Sequence, residues 1–234
     1  MTRRDEIATG LAAVTSRVER ACRTAGRDPA GVTVVVVTKT FPATDVRLLA
    51  ELGVRHIGES RDQEAAPKAA ACADLHLTWH FVGQLQTNKA GSVAGYADVV
   101  HSVNRARLVD ALDRAASSSG RDVRCLVQVA LGDAPDGGAG RGGASAADVA
   151  ALAERVSAAR SLRLAGVMGV APLGGDPDEA FARLARIAET VQIRHQGATW
   201  VSAGMSGDLE AAVTHGATHL RVGTAILGAR PPAG

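Results

Sequence analysis

The run Val32-Thr33-Val34-Val35-Val36-Val37-Thr38-Lys39 decides how the rest of the chain reads. Its β-branched residues suit an extended backbone, and apolar side chains at both parities belong to a strand covered on both faces. A parallel sheet with helices packed against it supplies that cover. The run ends on a lysine, so a rigid element delivers an ammonium group at its C-terminal end.

Upstream, Ile7, Leu11, Val14, Val18 and Ala21 recur at steps of three and four, which predicts an amphipathic helix from Arg4 to Gly26. Downstream the alternation is regular. Strands are expected over 54–57, 77–82, 98–101, 124–129, 162–168, 199–201 and 218–222. Helices are expected over 44–52, 60–72, 104–117, 146–159, 177–194 and 206–215, with a short one from Thr87. Eight strands, each but the last followed by a clear helix, point to the α/β class and a single (β/α)8 TIM-type barrel with an extra N-terminal helix, one domain over 1–234. A doubly wound open sheet is the rival, although the Gly-x-Gly-x-x-Gly that often follows its first strand is missing. The Gly-rich stretch Gly132 to Gly143 reads as a flexible loop on the face where barrel active sites form, either a mobile lid or an inert surface segment.

The formal charge of +2 is spread along 234 residues, so a nucleic-acid partner is not expected. Cys22, Cys72 and Cys125 match neither a disulfide framework nor a zinc set and read as reduced thiols of a cytoplasmic protein. The charged start lacks an apolar leader and no run reaches about 18 apolar residues, so neither secretion nor a membrane partner is expected. His195, His215 and His219 show no ligand spacing, and Cys125 reads as core. Tyr96 is the single tyrosine, hence the single candidate for any phenolic acid or base.

Lys39 sits where a barrel places its active site, and desolvation there favours a neutral, nucleophilic amine. A solvated loop lysine is the plain alternative. After the seventh strand comes Ser202-Ala203-Gly204-Met205-Ser206-Gly207-Asp208, with Ser206 as expected N-cap of the next helix; after the eighth comes Arg221-Val222-Gly223-Thr224-Ala225-Ile226. Loops seven and eight of a barrel commonly bind phosphate, and Gly204, Gly207, Gly223, Ser206 and Thr224 supply close backbone approach and hydroxyl donors. A phosphate clamp beside a lysine suits pyridoxal 5′-phosphate (PLP) or a Schiff-base aldolase of a phosphorylated sugar.

Five ordered blocks sharpen this: Val36 to Thr40, His56 to Glu64, Trp79 to Lys89, Gly204 to Asp208 and Arg221 to Gly228. They resemble the signature blocks of the YggS/PROSC family of pyridoxal phosphate homeostasis proteins. The resemblance implies a barrel like the N-terminal domain of alanine racemase, with PLP held as a Schiff base on Lys39. It also implies that Ser206, Gly223 and Thr224 hold the phosphate, that Gly204 and Met205 beside them bind the cofactor, that Arg221 faces the pyridine nitrogen, and that the segments around Glu59, Ser60 and His80 line the pocket. Ser60 stands where family members usually carry Asn. Arg141 stands near the loop position of a lysine described as a secondary cofactor site, and a guanidinium does not readily form an imine.

If Arg221 meets the pyridine nitrogen, its fixed charge opposes protonation there and weakens the ring as an electron sink. Racemisation also needs a second acid/base, which alanine racemases take from a tyrosine of a further domain; no such domain is expected before the chain ends at Gly234. His80 reads as a ring packed on the cofactor or a satisfied core histidine. The expected function is therefore intracellular PLP binding and homeostasis without efficient catalysis, by a monomer whose further partners are apo PLP-dependent enzymes. A slow PLP-dependent racemase or decarboxylase is the alternative.

Overall fold

In the computed structural model, which describes residues 1–132 and 142–229, the Val-rich run forms β1 (Thr33–Val37), preceded by α1 (Arg3–Thr24). Then come α2 (Ala43–Glu51), β2 (His56–Glu59), α3 (Asp62–Ala71), β3 (Thr78–Phe81) and α4 (Ala90–Tyr96). The middle of the chain holds β4 (Val99–Val103), α5 (Ala106–Ser118), β5 (Val123–Val129), α6 (Ala146–Ser157) and β6 (Leu162–Gly169). It closes with α7 (Pro177–Arg194), β7 (Trp200–Ser202), α8 (Leu209–Thr214), β8 (His219–Val222) and α9 (Thr224–Leu227). The strands pair in chain order, all parallel, and β8 returns to β1 with Val35 opposite Arg221, closing the barrel.

Two details depart from the sequence reading. The helix of loop seven begins at Leu209 rather than Ser206, with Asp208 at its N-cap, because the Asp208 carboxylate accepts from the Met205 N–H and turns the chain before the helix can start. The eighth strand is followed by α9, which the short segment after Arg221 hid from periodicity. Most of the Gly132 to Gly143 stretch, read as lid or loop, lies outside the described residues.

The face that β1 and β2 turn inward follows from one contact and from the core clusters. A Cβ on Gly58 would lie 3.1 Å from both the Val35 and Val37 side chains, so these residues share one face, and it is the inner one because Val36 and Ile57 belong to the cluster packed against the helices. Strand side chains alternate, and Lys39 therefore continues that face beyond the end of β1. The inner apolar core is small: Val99, Leu126, Ala165 and Met168, with Val170 and Trp200 against them. The large cluster lies instead between strands and helices, from Ile7 and Val18 round to Leu209 and Leu227. Polar groups occupy much of the remaining interior, among them His80, His101, Ser202, His219 and Arg221, all buried.

Helix α1 starts with a capping box between Thr2 and Asp5 and packs across α8 and α9, covering the seam where β8 meets β1. Arg17 donates to both carboxylate oxygens of Glu210 and to the Ser206 carbonyl, tying α1 to the loop after β7. The helices touch closely at Gly10, where an added Cβ would come 2.4 Å from the Ile226 carbonyl oxygen. Alanine normally favours a helix over glycine by about 1 kcal/mol. Here the backbone of α9 blocks it, so Gly10→Ala is expected to destabilise by about 1–3 kcal/mol, whereas Gly95→Ala in α4, which meets open space, should not. Urea unfolding of the two variants checks the difference in sign.

Candidate functional site

Lys39 is held through its neighbours by α3. The Lys68 ammonium donates to the Thr38 carbonyl at 2.8 Å, and the Thr40 N–H donates to the Glu64 carboxylate at 2.9 Å. Thr40 adopts φ 69°, a left-handed backbone that a β-branched residue accepts only under constraint. Burial raises the proton affinity of Glu64, but the Thr40 N–H and Arg61 outweigh it and leave the carboxyl below its ordinary range. Lys68 also pairs with Glu59 at 2.5 Å, and Thr38 Oγ1 donates to the same Glu59 oxygen at 2.5 Å. Glu59 is fully buried; burial raises its pKa although Lys68 pulls the other way. The lysine of the strand end is thus bracketed on both sides by side chains of one helix.

Above β1 lies a cavity of about 400 Å³ whose wall includes Lys39, Ser60, Phe41 and Val170. Loops seven and eight form its other side with Met205, Ser206, Gly207, Gly223 and Thr224. The backbone N–H groups of Ser206, Gly207, Gly223 and Thr224 meet no acceptor among the described residues. The Ser206 hydroxyl accepts from the Ala225 N–H at 3.3 Å and joins the two loops. Four unused amides and two hydroxyls converging from adjacent loops make a donor set suited to a phosphate dianion. The glycines act differently from one another. Gly204 has φ 87° and its Cβ would strike Ala212 at 2.6 Å, so it serves the packing of loop seven on α8, whereas a Cβ on Gly223 would press against the Val37 carbonyl at 3.0 Å and so sets how closely loop eight approaches β1.

Arg221 forms the floor. Nη1 donates to Ser202 Oγ at 2.6 Å and Nη2 to the Gly169 carbonyl at 2.9 Å. Burial lowers its pKa to about 10, with Asp208 acting in the opposite sense, so it remains a cation at neutral pH. Among the described residues no carboxylate forms an ion pair with it. Beneath Ser202 the barrel holds His101, His80 and His56 in hydrogen-bonded succession: Ser202 Oγ to His101 Nδ1 at 2.9 Å, His101 Nε2 to His80 Nδ1 at 2.8 Å, and His80 Nε2 to His56 Nδ1 at 3.0 Å. Burial pushes the pKa of His80 and His101 well below the ordinary histidine value, so both are neutral.

The residues expected from sequence therefore separate. Lys39, Ser60, Met205, Ser206, Arg221, Gly223 and Thr224 share the cavity wall. Gly204, Glu59 and His80 do not reach it: Gly204 packs on α8, Glu59 lies behind Lys39 with Lys68, and His80 lies below the floor. Sequence reading missed Lys68, Glu64, His101 and Ser202. The parity of Lys39 with Val35 and Val37, and one interior histidine on each of β2, β3 and β4, were signals it left unused.

A family model described as alanine racemase, N-terminal domain, matches residues 10–231. A protein of Mycobacterium tuberculosis named pyridoxal phosphate homeostasis protein is 44% identical, with 97% of this chain and 94% of that one aligned. PipY of Synechococcus elongatus, solved with PLP bound, matches with a TM-score of 0.81 at 36% identity, covering 95% of this chain and 100% of that one. Alanine racemase of Corynebacterium glutamicum gives a TM-score of 0.68 at 14% identity, over 99% of this chain and 62% of its own, a likeness of fold alone.

Replacing Lys68 by methionine leaves the Glu59 carboxylate buried without its cation, and such breaks cost about 3–5 kcal/mol. Because the folded-state pKa of Glu59 is already raised and rises further without the lowering effect of Lys68, the penalty is full above the variant's pKa and shrinks as pH falls from there to the wild type's own raised value. Denaturant unfolding of Lys68→Met beside the wild type across pH measures this; a penalty independent of pH would mean that Glu59 is not the group left uncompensated.

Proposed function

The chain belongs to the alanine racemase N-terminal-domain family and, within it, to the pyridoxal phosphate homeostasis proteins, and on that premise we propose that it binds PLP through Lys39 and stores it without turning over amino acids. When bound, PLP supplies an aldehyde that condenses with a neutral amine and a ring that can accept electrons. The residues present fit it. Ser206, Thr224 and the unused amides of loops seven and eight suit its phosphate, and Lys39 lines the same cavity. Arg221 offers the ring nitrogen a hydrogen-bond donor that stays charged and takes up no proton, so an unprotonated nitrogen is favoured.

The observation that carries this reading is the chemistry of the wall: among the described residues, Lys39 and Arg221 are its only titratable side chains. Proton transfer at an amino-acid Cα needs an acid or base within hydrogen-bond reach on the face opposite the lysine. Tyr96 ends α4 and lines a separate surface cleft with Trp79 and Arg121, outside the barrel. Among the described residues no helix is long and apolar enough to cross a membrane, and no group of three His, Cys, Asp or Glu could hold a metal ion. Within this proposal the protein is a cytoplasmic store of a reactive aldehyde whose recipients are apo PLP-dependent enzymes.

Borohydride reduction of PLP-saturated protein followed by peptide mapping is expected to place a pyridoxyl group on Lys39. Lys39→Ala should lose both that adduct and the band at roughly 420 nm; an adduct confined to other lysines would overturn the assignment. Incubated in D2O with a panel of amino acids, the PLP-loaded protein should exchange α-protons no faster than free PLP. A rate well above that background for any amino acid would make it an enzyme.

A further inference from the structure

We propose that Ser202, His101, His80 and His56 are positioning residues for Arg221, a chain of hydrogen bonds that runs in one direction, from the cavity floor to the far end of the barrel, and fixes the guanidinium there as a donor. The inference rests on the reading that Arg221 faces the ring of PLP.

The direction follows from donor and acceptor counts. A guanidinium only donates, so Ser202 Oγ accepts from Arg221. Ser202 is fully buried, and its hydroxyl hydrogen has one acceptor among the described residues, His101 Nδ1. If His101 donated to Ser202 instead, that hydrogen would be left without a partner, which buried groups avoid. His101 Nδ1 is then an acceptor, and its hydrogen must sit on Nε2, where it donates to His80 Nδ1. The same argument repeats: His80 carries its hydrogen on Nε2 and donates to His56 Nδ1, leaving the half-buried His56 to donate outward from Nε2. Each link joins a different strand, from β8 through β7, β4 and β3 to β2, so the chain spans the interior rather than following one element.

Every hydrogen in this chain points away from the cavity. A proton arriving at His56 cannot hop toward Arg221, because inward transfer requires each ring to present its hydrogen in the opposite sense. Burial reinforces this by keeping the imidazoles of His80 and His101 neutral. The floor thus presents a positive charge and no transferable proton, which distinguishes it from an acid that could protonate a ligand's ring nitrogen. The histidines act through Arg221 and touch no ligand.

The test begins on PLP-free, 15N-histidine-labelled protein, in which long-range 1H–15N spectra report the hydrogen of each ring, assigned with single His→Gln variants. His56, His80 and His101 are expected to be neutral with hydrogen on Nε2; hydrogen on Nδ1 of His80 or His101 would overturn the direction. In the PLP arm, Ser202→Ala should weaken PLP binding about tenfold and shift the visible band of the bound cofactor, while Ser202→Thr, which keeps the hydroxyl, should behave as wild type. Unchanged affinity and band in Ser202→Ala would overturn the positioning role. Wild-type protein with the expected hydrogens that forms no adduct at Lys39 upholds the chain and sinks the PLP-binding reading instead.

Discussion

A guanidinium buried with neutral acceptors is costly, because it loses water and gains no opposite charge. Arg221 meets this constraint at the heart of the barrel, with a serine hydroxyl and the Gly169 carbonyl as partners. The surrounding structure follows from it. Ser202 must be small and hydroxylated to stand under Nη1, the groups below it must accept rather than donate, and neutral imidazoles are the side chains that accept on one nitrogen while donating on the other. A barrel interior usually closes with layers of branched apolar side chains; here that packing shrinks to the small cluster around Val99, Leu126 and Met168, and a polar column takes up much of the rest.

The site handles its three interior cations in three ways, and the difference sorts their roles. Lys68 is cancelled by Glu59 and gives a further hydrogen to the Thr38 carbonyl, so it shapes backbone. Arg221 is not cancelled, so its charge stays available to the cavity. Lys39 stands on the wall, where it can be approached, and the strained Thr40 that follows it is held by Glu64. Free energy stored in a left-handed threonine and an unpaired guanidinium is stability given up for a preformed site.

The fold was legible because its signal is local and repeated. Val32 to Thr38 announces a covered strand, and the alternation of periods two and 3.6 counts out the barrel. The same strand carries Lys39 to the C-terminal mouth of the barrel, while a solvated loop lysine stays open until the loops after the seventh and eighth strands are read with it. Ser206 was read as a cap from its type and place, but the Met205 to Asp208 turn moved the helix start and released its hydroxyl to bridge toward α9. The resemblance put the segments around Glu59, Ser60 and His80 at the pocket, and of these three Ser60 lines the cavity. Whether a side chain reaches the wall or lies behind it depends on partners such as Lys68 and His101, chosen by tilt and closure rather than by neighbours in sequence. His101 and Ser202 lie 101 positions apart and touch only because the barrel closes.

That long-range origin also explains why binding and catalysis can diverge on one architecture. The amides of loops seven and eight and the lysine are products of loops and strand ends, which a barrel presents whatever fills its interior. What the bound ring can do is set by the electrostatics of the floor, and the floor is set by which side chains fill the interior below it. Neutral imidazoles oriented by Arg221 make a floor that is positive and yields no proton, and among the described residues Lys39 and Arg221 are the titratable side chains of the wall. On the proposed reading, retention without turnover needs no special element; it follows from filling the barrel with a column of acceptors.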